Sequence, residues 1–270
     1  MNKFTKKWVA NIFIIWGLSI LICIYPNQLM IEASEQSTAK DGEHPTLFTY
    51  PLQKQYPETV AYFGTDSKNE IVLTFDDGPD EKFTPQILDV LKKHNVKATF
   101  FLLGKQAEKH PQIVKRIQKE GHNIGNHTYK HSNLHIKGNK KFQEEILKTS
   151  QVLKQIVGYE PRLFRAPLGK LNGNLVESLG ELNYFVVGWS VDSHDWTTKS
   201  VYQITTNVVS SIHPGAIILM HGGDYGGVDL SYSIKALDQI IPQLKEKGMN
   251  FVTVSELLHI SDQREGISLP

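Results

Sequence analysis

The stretch Thr74-Phe75-Asp76-Asp77-Gly78-Pro79 closes the apolar run Ile71-Val72-Leu73. A run of this kind suits a buried strand, and Gly-Pro turns the chain immediately after it. Two negative charges therefore stand at the mouth of a strand. Neighbouring strand residues point to opposite sides, so the two carboxylates are expected to divide their work, one binding a metal and the other handling a proton. Asp-Gly-Pro is also ordinary turn chemistry. The weight of the sharper reading therefore rests on what the rest of the chain offers.

Outward from that stretch, short apolar runs alternate with segments of helical spacing. Strands are expected at 71–76, 98–103, 123–128, 163–166, 184–191, 216–221 and 250–254, each bounded by chain breakers. Between them, Thr84-Pro85 and Pro111 open helices, with Pro at a first helical position. Gly121 stands just past the end of the second. Phe142, Ile146, Leu153 and Ile156 mark a longer helix. Further helical stretches follow around Leu175–Leu182, Val201–Ile212 and Ile234–Leu244. Repeated strand–helix units imply a parallel sheet. About seven of them predict an α/β fold, a distorted, incomplete (β/α) barrel, with a doubly wound open sheet as the alternative. There is no phosphate-binding glycine loop and no internal repeat.

Polar groups fall at the ends of five of these strands. Asp76-Asp77 is the first. His127-Thr128-Tyr129-Lys130-His131 is the second; two histidines four apart would face one way on a helical turn. With a carboxylate they form a His₂-Asp set suited to zinc or a similar divalent ion. No Glu follows the first His, so this is not the thermolysin-type zinc helix. The third is Phe164-Arg165-Ala166-Pro167-Leu168-Gly169, where Arg165 can hold a carboxylate bidentately and the turn can aim a backbone N–H. The fourth is Val191-Asp192-Ser193-His194-Asp195-Trp196. The fifth is Ile217-Ile218-Leu219-Met220-His221-Gly222-Gly223, with His221 placed as a general acid. Taken singly, each has a bland reading as a turn, a surface ion pair or a satisfied buried polar group. In a barrel the C-terminal strand ends carry the active site, and five such clusters at five ends argue for one.

In this order, the five segments resemble the polysaccharide deacetylases of carbohydrate esterase family 4, over about residues 70–258. The resemblance implies an incomplete (β/α) barrel holding one divalent metal. Zinc is the first expectation, and cobalt, nickel and manganese are the alternatives. It implies that Asp77, His127 and His131 bind the metal and that Asp76 is the catalytic base, held by Arg165. It implies that the Leu168 N–H faces the oxyanion, that Asp195 tunes His221 as general acid, and that Trp196 and Leu219 line the acetyl pocket. Many members carry an aromatic residue where Leu168 stands. The implied reaction is removal of N-acetyl groups from a surface polysaccharide. Peptidoglycan N-acetylglucosamine leads as substrate, chitin oligomers come second and O-acetyl xylan third. A catalytically silent glycan-binding module is the remote alternative, and no base, ligand or acid is missing to favour it.

The flanks and the bulk numbers complete the expectations. Lys3, Lys6 and Lys7 precede an apolar run from Trp8 to Tyr25, closed by Pro26 and Asn27. Residues 1–34 therefore read as a signal peptide or membrane anchor, which places the domain outside the cytoplasm, secreted or on the outer side of the membrane. The one cysteine, Cys23, lies in this leader, so the mature chain has no internal disulfide. Residues 35–69 read as a spacer that partly packs on the domain, 70–260 as the catalytic domain and 261–270 as a tail. A formal net charge of +1 gives no reason to expect nucleic acid as a partner.

Overall fold

The computed structural model describes residues 50–65, 68–132, 134–224 and 226–264, with the side chains of 134–140 outside that description. The leader, Cys23, residues 35–49 of the spacer and most of the tail lie outside the described residues. In chain order come α1 (Pro51–Gln55), β1 (Val60–Ala61), β2 (Glu70–Asp76), α2 (Thr84–Lys93), β3 (Thr99–Leu102), α3 (Gly104–Lys109), α4 (Pro111–Lys119) and β4 (Asn123–Asn126). Then follow α5 (Leu134–Val157), β5 (Leu163–Phe164), a 3-10 turn at Pro167–Gly169, α6 (Gly173–Glu181), β6 (Phe185–Val187) and β7 (Val191–Asp192). The series ends with α7 (Val201–Ser211), β8 (Ile217–His221), α8 (Ser231–Glu246), β9 (Asn250–Phe251) and α9 (Val254–Leu258). No helix among the described residues is long and apolar enough to cross a membrane.

β2 organises the sheet. It pairs in parallel with β3 on one side and β8 on the other, and its first residues pair with β9. A strand flanked on both sides and covered on both faces reads as continuous apolar sequence, as Ile71–Phe75 does. Ile71, Leu73 and Phe75 pack outward among Ile87, Leu88 and Leu91 of α2 and Leu237 and Ile241 of α8. Val72 faces the interior with Phe101, Val187, Ile217 and Leu219. The sheet runs β1-β6-β5-β4-β3-β2-β8-β7, and every named strand pair is parallel. The fold is mixed α/β, a curled half-barrel with helices around it.

Sequence analysis expects one strand over 184–191. The structure breaks it in two at Gly188-Trp189-Ser190. β6 pairs with β5 and β1, whereas β7 pairs with β8 at the other flank of the sheet. One bent segment thus serves both flanks, and it is what curls the sheet. The bend depends on close approach: a Cβ on Gly188 would stand 2.1 Å from the Tyr62 ring. β1 was not expected either. Two residues give no period to read, yet Val60 and Ala61 pair with Val186 and Val187, and Tyr50, Tyr62 and Phe63 join one core cluster.

Gly125 in β4 has a consequence for the site. A Cβ there would lie 2.4 Å from Phe101 Cδ1 and 3.2 Å from the Leu163 carbonyl oxygen. Phe101 in turn carries the Arg165 guanidinium 4.2 Å above its ring. We expect Gly125→Ala to cost about 1–3 kcal/mol through overpacking. A denaturant midpoint lowered at unchanged m-value checks it; an unmoved midpoint would mean the ring relaxes freely.

Candidate active site

Asp76 is the last residue of β2, and Asp77 follows with φ +71°. That left-handed residue ends the alternation of the strand. The two carboxylates therefore do not point to opposite sides; both line one cavity of about 490 Å³. Asp80 holds the turn. Its Oδ1 accepts the N–H groups of Lys82, Phe83 and Thr84 at 3.1, 2.6 and 3.1 Å, and its Oδ2 accepts the Asp224 N–H at 2.7 Å. Sequence reasoning missed Asp80. Its available signal was an acid four residues ahead of Thr84-Pro85.

His127 and His131 stand in an irregular loop after β4, not on the helical turn expected from their spacing. Thr128 and His131 adopt φ of +71° and +57°, which no helix contains. The rings still converge, with centroids 5.2 Å apart. Asp77 Oδ1 lies 3.6 Å from His127 Nε2 and 3.4 Å from His131 Nε2, and the ligand atoms of the three residues all lie within 4.8 Å of one another.

These residues fit a divalent ion. Ligands about 2.0–2.1 Å from a tetrahedral ion sit roughly 3.3–3.4 Å apart. Asp77 Oδ1 is buried and accepts no hydrogen bond. The arrangement also fixes the histidine lone pairs: His127 Nδ1 lies 2.9 Å from the Arg165 carbonyl oxygen, so it carries the proton and Nε2 is left to coordinate. Burial draws His131 down to about 4, with His127 adding to the effect. The ring is neutral at pH 7, with one of its two nitrogens unprotonated. Burial likewise pushes Asp77 up, against the pull of His127.

Arg165, 1 % exposed, lies under Asp76. Its Nη1 donates to Asp76 Oδ1 at 2.9 Å and to Thr74 Oγ1 at 2.7 Å. Its Nε and Nη2 donate to the carbonyls of Val187 at 3.0 Å and Gly188 at 2.8 Å. The expected bidentate grip is absent for a physical reason: a buried guanidinium must satisfy five donors, and the bent 184–192 segment supplies two of the acceptors. Burial depresses Arg165, while Asp76 opposes that.

Across the cavity, His221 ends β8. Its Nδ1 lies 2.7 Å from Asp195 Oδ1, and its backbone N–H donates to Asp195 Oδ2 at 3.0 Å. Burial alone would lower the imidazole. Asp195, then Asp77 and Asp76, outweigh it and raise His221 to about 9. Leu168, in the 3-10 turn, has φ +61° and is 60 % exposed at the lip. Its N–H is not used by the turn, whose bonds run from Gly169 to Ala166 and from Lys170 to Pro167. Trp196, 54 % exposed, and Leu219, buried, complete the wall. Asp76, Asp77, His127, His131, Leu168, Trp196, Leu219 and His221 all line the cavity, and Arg165 and Asp195 stand behind Asp76 and His221. Trp189, Asp192, Val228 and Leu230 also line it and were given no role from sequence.

A carboxylate held by arginine and an imidazole held by aspartate, with a cation cluster between them, are the equipment of a metal-dependent hydrolase. The comparisons fix which kind. The family model "Polysaccharide deacetylase" matches residues 63–187. A peptidoglycan-N-acetylglucosamine deacetylase of Bacillus cereus is 49% identical over 230 residues, 85% of this chain and 82% of that protein. A second from the same organism is 42% identical over 211 residues, 77% of this chain and 97% of that protein. Among solved structures, the Bc1960 peptidoglycan N-acetylglucosamine deacetylase in complex with 4-naphthalen-1-yl-N-oxidanyl-benzamide superposes with a TM-score of 0.75 at 47% identity, covering 79% of this chain and all of that one. A pseudoenzyme of carbohydrate esterase family 4 from Bacillus anthracis superposes at 0.68 with 30% identity, covering 77% of this chain and 70% of that one. The chain belongs to the polysaccharide deacetylase family.

Proposed function

We propose that this protein hydrolyses the N-acetyl groups of N-acetylglucosamine residues in peptidoglycan. The observation that carries it is the intact convergence of Asp76, Asp77, His127, His131 and His221 on one open cavity, in a chain whose relatives at 49% and 42% identity bear that activity in their names. Asp77, His127 and His131 hold one divalent ion, zinc first among the candidates. When bound, the ion supplies Lewis acidity at the acetyl carbonyl. Asp76, oriented by Arg165, takes the proton of the attacking water. The Leu168 N–H donates to the carbonyl oxygen as its charge develops. His221 gives its Nε2 proton to the departing amine, which leaves as free glucosamine with acetate as co-product. Trp196 and Leu219 bound the space for the acetyl methyl. Each added methylene is then disfavoured by about 1–3 kcal/mol.

Residues 1–34 export the domain, as cleaved signal or retained anchor, to where the cell wall lies. Each turnover there exposes an ammonium group on the glycan. A silent glycan-binding module is the competing reading, since the same fold occurs in a family pseudoenzyme; the complete base, acid and cation cluster favours catalysis. The test is mass analysis of peptidoglycan fragments and chitooligomers incubated with the zinc-loaded protein. Loss of an acetyl mass from glucosamine units of the wall fragments is expected. Binding without mass loss would favour the module, and loss confined to chitooligomers would move the substrate to chitin.

A further inference from the structure

The loop that carries both histidines has an unusual problem. The His127 N–H still donates to Leu102 of β3 at 3.0 Å, but the left-handed residues Thr128 and His131 take the loop out of the ladder beyond it, so the amides that follow need other acceptors. Buried amides must nonetheless find acceptors. Some find them nearby: Asn126 Oδ1 accepts the Thr128 N–H at 2.9 Å. The next two look across to α5. Glu145 Oε2 accepts the N–H groups of Tyr129 at 3.1 Å and Lys130 at 3.0 Å, and Glu145 Oε1 accepts the Ser132 hydroxyl at 2.9 Å. One carboxylate therefore grips the loop at three points, all between or directly beside the two histidines.

The opposite edge of the loop is held as well. The N–H groups of Gly104 and Lys105, at the start of α3, donate to the carbonyls of Thr128 at 2.9 Å and Tyr129 at 3.0 Å. That approach needs a glycine, because a Cβ on Gly104 would stand 2.6 Å from Thr149 Oγ1 and 2.7 Å from the Tyr129 ring. Glu145 itself is anchored from behind: its carbonyl accepts the Thr149 hydroxyl at 2.9 Å, and the neighbouring Ile146 carbonyl accepts Asn126 Nδ2 at 2.9 Å. The histidine loop thus sits in a vice between α3 and α5: Glu108 of α3 accepts the Tyr129 hydroxyl at 2.6 Å, and Glu145 of α5 is the carboxylate that takes the loop's main-chain N–H groups.

We infer that Glu145 is a positioning residue for the cation site, holding His127 and His131 in their coordinating geometry before any ion arrives. It acts on the ligands through the peptide groups of their own loop, 14 and 18 residues from them in sequence. The inference rests on the reading that Asp77, His127 and His131 hold a divalent ion. Groups that orient ligands typically change metal affinity by about 10–100-fold when removed.

The experiment titrates zinc alone into the metal-free full chain against a chromogenic chelator, for the wild type, Glu145→Ala and Glu145→Gln. Glu145→Ala is expected to weaken zinc binding by about 10–100-fold. Glu145→Gln keeps one acceptor oxygen and presents an NH₂ in place of the other, so it should fall between; it also serves if the alanine variant does not fold. Two further readouts isolate positioning from bulk stability: the unfolding midpoint of the metal-free protein, and KM measured at zinc saturation, which should stay within about twofold of the wild type in Glu145→Gln. A lowered midpoint with unchanged zinc affinity would make Glu145 a structural brace only and overturn the inference. A changed KM with unchanged affinity would move its role to the substrate side and overturn it too. A wild type that binds zinc no better than His131→Ala would overturn the cation reading itself, which the other outcomes leave standing.

Discussion

Asp76→Asn is expected to lower kcat by about 10²–10⁴-fold, the range lost with a general base, while the protein still binds its full complement of metal. The two halves of this result come from different atoms. Asp77 Oδ1 is the buried oxygen without a hydrogen bond between the two histidines, and asparagine at 76 leaves it untouched. Asp76 Oδ1 is already committed to Arg165 at 2.9 Å, which leaves its other oxygen, 3.7 Å from His127 Nε2, to accept a proton. The carboxamide cannot take that proton. It keeps an acceptor for Arg165 but removes the countercharge of a guanidinium that is 1 % exposed, so a stability loss of up to about 3 kcal/mol should accompany the kinetic loss. Metal analysis and kcat measured on the same preparation decide it. If the variant loses its metal and recovers normal rates when refilled, the roles of the two aspartates are exchanged.

That the two aspartates belong to one site was legible in sequence; their geometry was not. Alternation along a strand predicted opposed carboxylates, and the left-handed φ of Asp77 brought them to one side. A spacing of four predicted a helical histidine pair, and Thr128 and His131 built a loop instead. In each case the chemistry was carried by residue identity, which the sequence states outright. The orientation was carried by backbone dihedrals that tertiary contacts impose on non-glycine residues. The same holds for the fold. β2, β3 and β8 were readable because burial on both faces leaves long apolar runs. The 184–191 segment read as one strand because its break depends on partners more than a hundred residues away in sequence, Tyr62 against Gly188 on one side. Asp80 and Glu145 were invisible for a related reason: each acts through main-chain N–H groups, which leave no signature in residue type.

With His221 as the proposed general acid, it is expected to set the alkaline edge of activity. With Nδ1 bound to Asp195 at 2.7 Å, the proton available to the departing amine sits on Nε2, and the acid works only while the ring is protonated. Burial depresses the imidazole, and the charges of Asp195, Asp77 and Asp76 raise it in sum to about 9. Activity should therefore persist through neutral pH and decline along a single-proton limb on the alkaline side. A bound cation offsets the Asp77 charge, so in the loaded enzyme that limb lies below 9. Asp195→Asn removes the largest raising influence and should move the limb down by about 1–3 pH units. His221→Ala should cost about 10²–10⁴-fold and abolish the limb. Stability supplies an independent reading. The folded value of about 9 lies above the ordinary 6.5, so the stabilisation is fully present below pH 6.5 and fades as pH rises toward 9. His131 and His122, both near 4 when folded, act in the other direction and cost stability as pH falls from 6.5 toward 4. The combined contribution of these three histidines to the metal-free protein should then be greatest near pH 6.5, and His221→Ala should flatten only the alkaline slope. A pH–rate limb that stays in place in Asp195→Asn would detach Asp195 from the acid and leave the proton on the amine to come from another donor.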